Sequence, residues 1–477
     1  MAPEATPRPR TGCRQWTTTL TRALWVLTSP RDRHRSGRIL PRLRKGRALP
    51  FTADACAGLP GPEWLRRRRS ESFEEFESLP LPTEKEEVWR YSPIDRLDLG
   101  SYASGHDPDP VPPAVVDTVR TEVAPHHALA VVGGGRVASV SRLGLPDEVT
   151  LSGVDKLPDG REVLGRVLTG GDALVRLNDA FAPDPLVVDV PAGVVVDEPI
   201  VVVHWCPGSG DGAPSPAWFP RTSVRVGDGA RASVVEVLLG ADNDRPALVV
   251  PVTELWVGDG GRLSFVSLQE FETASWHIGR LAGRAGRDAV LSIFTAGLGG
   301  AYDRLRTDVV ADGTGARCEL RSAYLGTGEQ VHDIRTQQVH RAARTTSDLL
   351  CKGAVAGSSR SVYSGLITVA RGAVRTEAFQ TNHNLVLDPR AHADSVPNLD
   401  IEENDVRCSH ASTVGPVDED QLYYLESRGI SPQRAERLIV LGFYDDVIDR
   451  LPVPAAAVRL RKAVGARLVQ ALAAERG

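Results

Sequence analysis

From residue 185 to 395 the chain repeats itself. Short runs in which Val, Ile and Leu alternate with polar residues are separated by Gly/Asp turns. Val226-Gly227-Asp228-Gly229 leads into Ser233-Val234-Val235, and Val257-Gly258-Asp259-Gly260 into Ser264-Phe265-Val266. Ala285-Gly286-Arg287-Asp288 leads into Val290-Leu291-Ser292, Ala311-Asp312-Gly313-Thr314-Gly315 into Cys318-Glu319-Leu320, and Ala370-Arg371-Gly372-Ala373 into Arg375-Thr376-Glu377. With Gly229, Gly260, Gly286 and Gly313 as markers, the first four turns recur about every 26–31 residues. Strict alternation marks strands with one buried face. The spacing is long for a meander and suits a solenoid, in which each strand stacks on its equivalent in the next coil. An antiparallel sandwich with irregular loops is the alternative this pattern leaves open.

Helical text flanks the repeat. Pro62-Glu63-Trp64-Leu65 opens a stretch with Leu65, Phe73 and Phe76 at helical spacing, closed by Leu79-Pro80-Leu81-Pro82. After the repeat, Asp418 with Gln421 three positions on reads as a capping box, and Gly429 as a helix end. Ser431-Pro432 caps and starts a second helix with Ala435, Leu438, Ile439 and Phe443. Pro452 and Pro454 precede a third, from Ala455 to Ala474. The expected organisation is a leader over 1–50, a helical and mixed region over 51–180, the repeat over 181–410 and a helical domain over 411–477. Aromatics make up only 5%, with 45 Gly and 34 Pro, as a fold of many short strands requires.

Charge and cysteines narrow the function classes. Residues 1–50 hold eleven Arg and one Lys against Glu4 and Asp32, a net of +10, which leaves −15 on the rest of the chain. A body that acidic does not suit non-specific nucleic-acid binding. The basic leader is compatible with a transit peptide, but a disordered tail or a translated upstream region from a misplaced start is preferred. None of the six cysteines (Cys13, Cys56, Cys206, Cys318, Cys351, Cys408) sits in a C-x-x-C pair, which argues against a zinc ribbon, a thioredoxin-like motif or a ferredoxin-type cluster loop. Such scattered cysteines fit a reducing cytoplasm. No apolar stretch is long enough to span a membrane. There is no G-x-x-x-x-G-K-[ST] and no G-x-S-x-G, so phosphate binding and that nucleophile class are not signalled.

The most informative segment joins the repeat to the helices: Pro397-Asn398-Leu399-Asp400-Ile401-Glu402-Glu403-Asn404-Asp405-Val406-Arg407-Cys408-Ser409-His410-Ala411, running on to Asp418-Glu419-Asp420-Gln421-Leu422-Tyr423-Tyr424-Leu425-Glu426-Ser427-Arg428-Gly429. It resembles the C-terminal signature of the SufB/SufD family of iron–sulfur cluster assembly proteins. Ser347-Asp348 to Gly365-Leu366, Gln380-Thr381-Asn382-His383-Asn384-Leu385-Val386-Leu387, and Leu79-Pro80 with Trp89-Arg90-Tyr91 look like the same family. Within it, Asp405-Val406-Arg407-Cys408-Ser409-His410 is similar to the SufD branch. Ala411 departs from the Gly usual after the His, and points to a slightly different turn there.

The resemblance implies a mainly β fold, a right-handed parallel β-helix flanked by N-terminal and C-terminal helices. It implies a non-enzymatic scaffold that pairs with a SufB-like paralogue through the β-helix and receives a SufC-like ABC ATPase on its C-terminal helices. No cofactor is expected to stay bound to the chain alone; a transient iron–sulfur cluster would form at the interface with the partner subunit. Alternatives are a SufB-like chain that itself carries the cluster and, remotely, a β-helix polysaccharide lyase or hydrolase using the acids Asp400, Glu402, Glu403 and Asp405.

Cys408 and His410 are two apart, so in an extended segment both side chains face one side. A thiolate and a neutral imidazole are suitable iron ligands. By itself a C-x-H pair is more often structural; the family resemblance makes both residues candidates for the cluster-assembly interface, with further ligands from a partner. On the helices 418–428 and 432–446, Tyr423, Tyr424, Phe443 and Tyr444 either close the core or offer aromatic anchors of the kind that dominate interfaces. The resemblance favours the partner role for at least one face and makes Gln421, Tyr423, Tyr424, Arg428, Phe443 and Tyr444 the candidates for ATPase docking. Cys318 and Cys351 read as buried, inert thiols. His332, His340, His383 and His392 read as core or surface histidines, His340 and His383 having the polar neighbours of a ligand site. Arg341, Arg344 and Asp348 read as a solvated charge cluster.

Overall fold

A computed structural model describes residues 50–105, 110–157, 163–208, 214–241 and 245–474, all within one compact unit, Lys45–Gly477. The leader expected over 1–50 lies outside the described residues, apart from Pro50. The N-terminal region holds the helices α1 (Ala53–Ala57) and α2 (Glu63–Ser78), strand β1 (Tyr102–Ser104), helix α3 (Pro113–Glu122), the hairpin β2 (Ala128–Gly133) and β3 (Arg136–Arg142), strand β4 (Thr150–Gly153) and helix α4 (Ala173–Phe181). Strands β5 (Leu186–Val190), β6 (Ile200–Trp205), β7 (Ser215–Trp218), β8 (Arg221–Val226), β9 (Arg231–Leu239) and β10 (Leu248–Val249) come next. Then follow β11 (Val252–Val257), β12 (Arg262–Glu270), β13 (Trp276–Ala285), β14 (Val290–Gly297), β15 (Tyr302–Ala311) and β16 (Arg317–Gly326). The series ends with β17 (Val331–His340), β18 (Thr346–Val355), β19 (Arg360–Val369), β20 (Thr376–Val386), β21 (His392–Ile401) and β22 (Val406–Gly415). Helices α5 (Glu419–Ser427), α6 (Pro432–Ile448) and α7 (Ala457–Ala474) complete the chain.

The strands form two facing sheets and, from β11 onward, alternate between them. One runs β21-β19-β17-β15-β13-β11-β8-β5-β4 and the other β22-β20-β18-β16-β14-β12-β9-β6-β2-β3. Each coil therefore contributes one strand to each sheet, and within the coils every strand pairs in parallel with its counterpart one coil away. This is the parallel solenoid, and the antiparallel sandwich is excluded. Registers pair Arg231 with Arg262, Val290, Arg317, Thr346 and Glu377 in succession. The coils are thus about 27–31 residues long, within the span of one structural repeat in solenoid proteins.

The tight corner between the sheets stacks as well. Gly229, Gly260, Asp288, Gly315, Arg344 and Arg375 all take left-handed φ angles of 54–76°. Each donates its N–H to a carbonyl of the next corner, as Gly229 does to Asp259 at 2.8 Å and Arg344 to Val374 at 2.8 Å. The ladder forces this conformation on whatever residue stands there. Glycine adopts it freely, whereas a residue with a Cβ such as Arg344 is held there at a cost of roughly 1 kcal/mol. Two features of the repeat are thereby corrected. Gly286 and Gly313 are out of phase with Gly229 and Gly260, their true equivalents being Asp288 and Gly315. A further corner at 341–345 carries no glycine and so leaves no mark in the repeat.

Side chains of one parity fill the lumen. One stacked row reads Val234, Phe265, Ile293, Leu320, Leu349, Gln380, His410, and its neighbour Ala232, Leu263, Leu291, Cys318, Ser347, Ala378, Cys408. The first five members of the first row belong to one continuous apolar core, each large side chain contributing about 1.5–3 kcal/mol on burial. Some polar groups that enter the lumen pair with one another there. Asp303 accepts from His277 Nδ1 at 2.7 Å and His332 Nδ1 at 2.9 Å. Burial alone would raise its pKa, but those two bonds win and hold it below the usual carboxylate range.

Both flanks are pinned to the solenoid by buried ion pairs. Arg221 of β8 reaches Asp179 of α4 at 2.7 Å and Glu254 of β11 at 2.6 Å. The Trp89-Arg90-Tyr91 strap is held by Arg304, stacked 3.8 Å from the Trp89 ring centroid, and by Arg335, which donates to the Arg90 carbonyl at 2.5 Å. At the other end Arg459 of α7 bridges Glu122 and Glu270 at 2.6 and 2.8 Å. Asp418 caps α5 by accepting from the amides of Asp420 and Gln421, the first half of the capping box read from the sequence, with no return bond from the Gln421 side chain among the described residues; Ser431 stands at the N-cap of α6, but its side chain makes no capping bond.

His340 is a core histidine. Its nitrogens lie 2.8 Å from Thr345 Oγ1 and 2.8 Å from Ser347 Oγ, in the same corner. Burial lowers its pKa to about 4. The unfolded chain therefore takes up a proton near pH 6.5 that the native state refuses until about pH 4. The corresponding stability is present above pH 6.5 and is lost progressively as pH falls through that window, by up to about 3 kcal/mol. Thermal unfolding of the wild type and of His340→Gln between pH 7.5 and pH 4.5 should show the smaller pH dependence in the variant.

Candidate functional site

The solenoid is open at its last coil. Among the described residues, strands β21 and β22 each pair on one side only, with β19 and β20, and present a free edge on the other. Alternation with the coil beneath turns Ser395, Pro397, Leu399 and Ile401 of β21, and Cys408, His410, Ser412 and Val414 of β22, toward the lumen. In every other coil such residues are covered. Here Leu399, Ile401 and Val414 are 38%, 39% and 46% exposed. Long, unpaired, apolar-lined edges are what soluble proteins ordinarily avoid, and they mark surfaces that another chain covers.

Cys408 and His410 fall in this mouth, on neighbouring rows and on the same side, as their spacing predicts. They differ in environment. Cys408 is half-buried and packs against the cluster of Ile367, Val369, Ala373 and Ala378. Burial raises its thiol pKa, an effect that outweighs the Ala378 backbone bond. The imidazole of His410 is exposed. Ser412 and Ser395 meet across the mouth at 2.7 Å, and Asn382 below accepts from Ser395 at 2.8 Å. Among the described residues no group of three or more His, Cys, Asp or Glu side chains is arranged to hold a metal ion. Ala411 does not sit in a turn; it is in mid-strand, paired with Thr381.

The acids Asp400, Glu402, Glu403 and Asp405 end β21 and form the corner of this coil. Glu403 accepts the Gly372 amide at 3.0 Å and so caps the corner beneath; Asp405 faces Arg375. These are the corner bonds of the fold. Arg341 pairs with Asp312, and Asp348 with Arg321, so Arg341, Arg344 and Asp348 do not form one cluster. Cys318 and Cys351 are fully buried, with thiols pushed up to about 12 by burial. His332 is buried on Asp303, His383 is half-buried against Thr413 at 2.6 Å, and His392 is exposed beside Asp394 at 3.1 Å.

The helical surface divides its candidates. Tyr423 and Tyr424 are 75% and 57% exposed on α5, a helix without one buried residue. Gln421 is exposed beside them, and Arg428 lies over the Tyr424 ring at 5.3 Å. Phe443 is half-buried beneath Lys352, which also reaches Asp446 at 2.6 Å. Tyr444 must be corrected. It is 0% exposed, and its hydroxyl donates to the Tyr324 carbonyl, tying α6 to β16; it offers nothing to a partner. Consecutive helical residues point about 100° apart, so of this aromatic pair one faces the solenoid fully.

Other mouth residues escape sequence reasoning: Gln380, Pro397, Leu399, Ile401, Ser412 and Val414. The register signal exists, since Gln380 precedes His410 by one coil. It can be read only with the coil lengths in hand.

Comparison with known proteins agrees with this geometry. Residues 60–202 match the family model for the SufBD protein N-terminal region, and residues 209–443 that for the SufBD core domain of the SUF system of FeS cluster assembly. Protein ABCI7, chloroplastic, of Arabidopsis thaliana is 30% identical over 84% of this chain and 85% of its own. The iron-sulfur cluster assembly protein SufD of Escherichia coli is 27% identical over 81% of this chain and 89% of its own. That of Bacillus subtilis is 26% identical over 82% and 91%. Among the described residues no helix is long and apolar enough to cross a membrane.

Proposed function

The chain belongs to the SufBD family of iron–sulfur cluster assembly proteins, and from that premise we propose that it is a non-enzymatic, SufD-type scaffold subunit. It pairs through the open edge of β21 and β22 with a SufB-like paralogue. A SufC-like ABC ATPase docks on α5 and α6, with Tyr423, Tyr424, Gln421 and Arg428 as the exposed contacts and Phe443 as a half-buried one. The cluster is cargo. It is held transiently at the mouth, where His410, and to a lesser degree Cys408, supply ligands that the partner completes. The scattered cysteines suit a reducing cytoplasm, and neither nucleic acid nor membrane is a partner.

The observation that carries this reading is the mouth itself: unpaired edges, exposed apolar residues and two potential iron ligands on one surface. Edge pairing by a second sheet would satisfy the free backbone groups, and the apolar rim would be buried with them. Anaerobic affinity purification of the tagged chain from its own cells, followed by intact-complex mass spectrometry, should recover a paralogous subunit and an ABC-type ATPase. Ile401→Asp with Val414→Asp should weaken the paralogue's binding at least tenfold, about 1.4 kcal/mol, while circular dichroism stays unchanged. A homodimer in place of the paralogue, or undiminished binding by the double variant, would sink the proposed pairing.

A further inference from the structure

One buried residue beneath the mouth breaks the pattern of its row. The lumen row that ends in His410 is apolar through Val234, Phe265, Ile293, Leu320 and Leu349, and then places Gln380 directly under His410. Gln380 is 1% exposed, and neither its Oε1 nor its Nε2 has a hydrogen-bond partner. A buried amide left in that state destabilises the fold, which an apolar side chain of the same length would not. The fold makes room for it nonetheless. Across the lumen stands Gly365, where an added Cβ would come within 2.4 Å of Gln380 Nε2 and 2.5 Å of the Tyr363 hydroxyl. Gly365 lies under Pro397, as Gln380 lies under His410. The amide thus spans the floor of the mouth, one strand spacing (about 4.8 Å) below the layer of His410 and Pro397. His410, likewise, has no partner among the described residues.

We propose that Gln380 is a positioning residue for His410: the two are not bonded to each other in this structure, and a rotation of the amide and of the ring brings Oε1 to accept the N–H of the imidazole nitrogen turned toward the lumen floor. This fixes the tautomer and directs the lone pair of the other nitrogen outward. The idea rests on the reading of His410 as a cluster ligand, and supplies what such a ligand requires. An imidazole binds metal through an unprotonated nitrogen, and the hydrogen bond made by the other nitrogen decides which one that is. A side chain fixed in a closed layer does this more reproducibly than solvent at an open rim.

The test is nuclear magnetic resonance of the full chain labelled with 15N-histidine, without cluster or partner, the His410 ring signals being assigned by their loss in His410→Ala. In the wild type the two ring nitrogens should show one dominant tautomer. Gln380→Met fills the same space without an acceptor, and should shift both His410 nitrogens toward the averaged values of free imidazole while leaving the other histidines unchanged. Gln380→Glu, which keeps an acceptor at the same reach, should retain the wild-type tautomer. In the assembled complex Gln380→Met should slow cluster formation about tenfold. Unchanged His410 signals in a folded Gln380→Met chain overturn the proposal whatever the complex does. Normal cluster formation by His410→Ala would instead refute the ligand reading and leave the tautomer result standing.

Discussion

Replacing Arg221 by Met is expected to destabilise the fold by about 3–5 kcal/mol, because it leaves carboxylates buried without their cation. The Arg221 side chain is 1% exposed, as is that of Glu254, and Arg221 is Glu254's only ion-pair partner among the described residues. Glu254 in turn receives the amides of Gly165, Val167 and Leu168 at 2.8, 3.0 and 3.0 Å, fixing the segment that precedes α4. Asp179 is better protected, since Arg68 and Arg176 also reach it at 2.9 and 3.3 Å. Most of the loss should therefore appear at Glu254, and Glu254→Gln should be far less harmful in the Arg221→Met background than in the wild type. A double-mutant cycle by urea unfolding measures that coupling, and additivity would disprove it. The acid limb should change too. Burial pushes the Asp179 pKa up, but Arg221 and then Arg68 outweigh it and hold it below its usual value. Its contribution is thus present above about pH 4 and lost as pH falls below that. Without Arg221 this part of the pH profile should flatten.

The same residues illustrate what is legible in the sequence. The coil repeat is visible because glycine reports a left-handed corner directly, as at Gly229 and Gly260. The corner occupied by Arg344 is not, because nothing in an arginine announces that a stacked backbone ladder will force φ to 58°. The region from about 100 to 180 has a mixed sequence pattern that assigns no individual elements. Its elements are short and owe their conformation to partners far along the chain: β2 lies on β6, and α4 is held by Arg221 and by Asn178, which donates to the Pro220 and Val250 carbonyls at 3.0 and 2.7 Å. Tertiary contacts of that kind leave no local periodicity. At the site, Cys408 and His410 are readable from their spacing and motif. The mouth around them is not, because it is assembled from residues one coil apart, and the offset between coils varies along the solenoid. Tyr444 resembles an exposed anchor for a related reason, since residue type alone does not say which face of α6 meets β16.

The second large effect concerns His410 and Cys408, whose environments differ enough to predict unequal roles. His410→Ala should reduce cluster formation by the assembled complex about a hundredfold or more, since loss even of a residue that only supports a metal ligand typically costs 10–100-fold. The exposed His410 ring requires no rearrangement to bind metal in its neutral form. Cys408 starts from a less favourable position. Ligation needs the thiolate, and burial has moved its pKa upward, so at neutral pH the group is a protonated thiol packed against Ile367, Val369, Ala373 and Ala378. Cys408→Ser should therefore cost only a few-fold in cluster formation, together with a small loss of stability from the altered packing. The measurement is cluster reconstitution on complexes purified anaerobically, followed by absorbance and iron content, with native mass spectrometry to show that each variant retains its partners. If Cys408→Ser abolishes assembly while His410→Ala spares it, the thiol is the ligand and the partner must provide the base that deprotonates it. If both variants assemble clusters normally, the mouth is a pairing surface alone, and the cluster belongs to the other subunit.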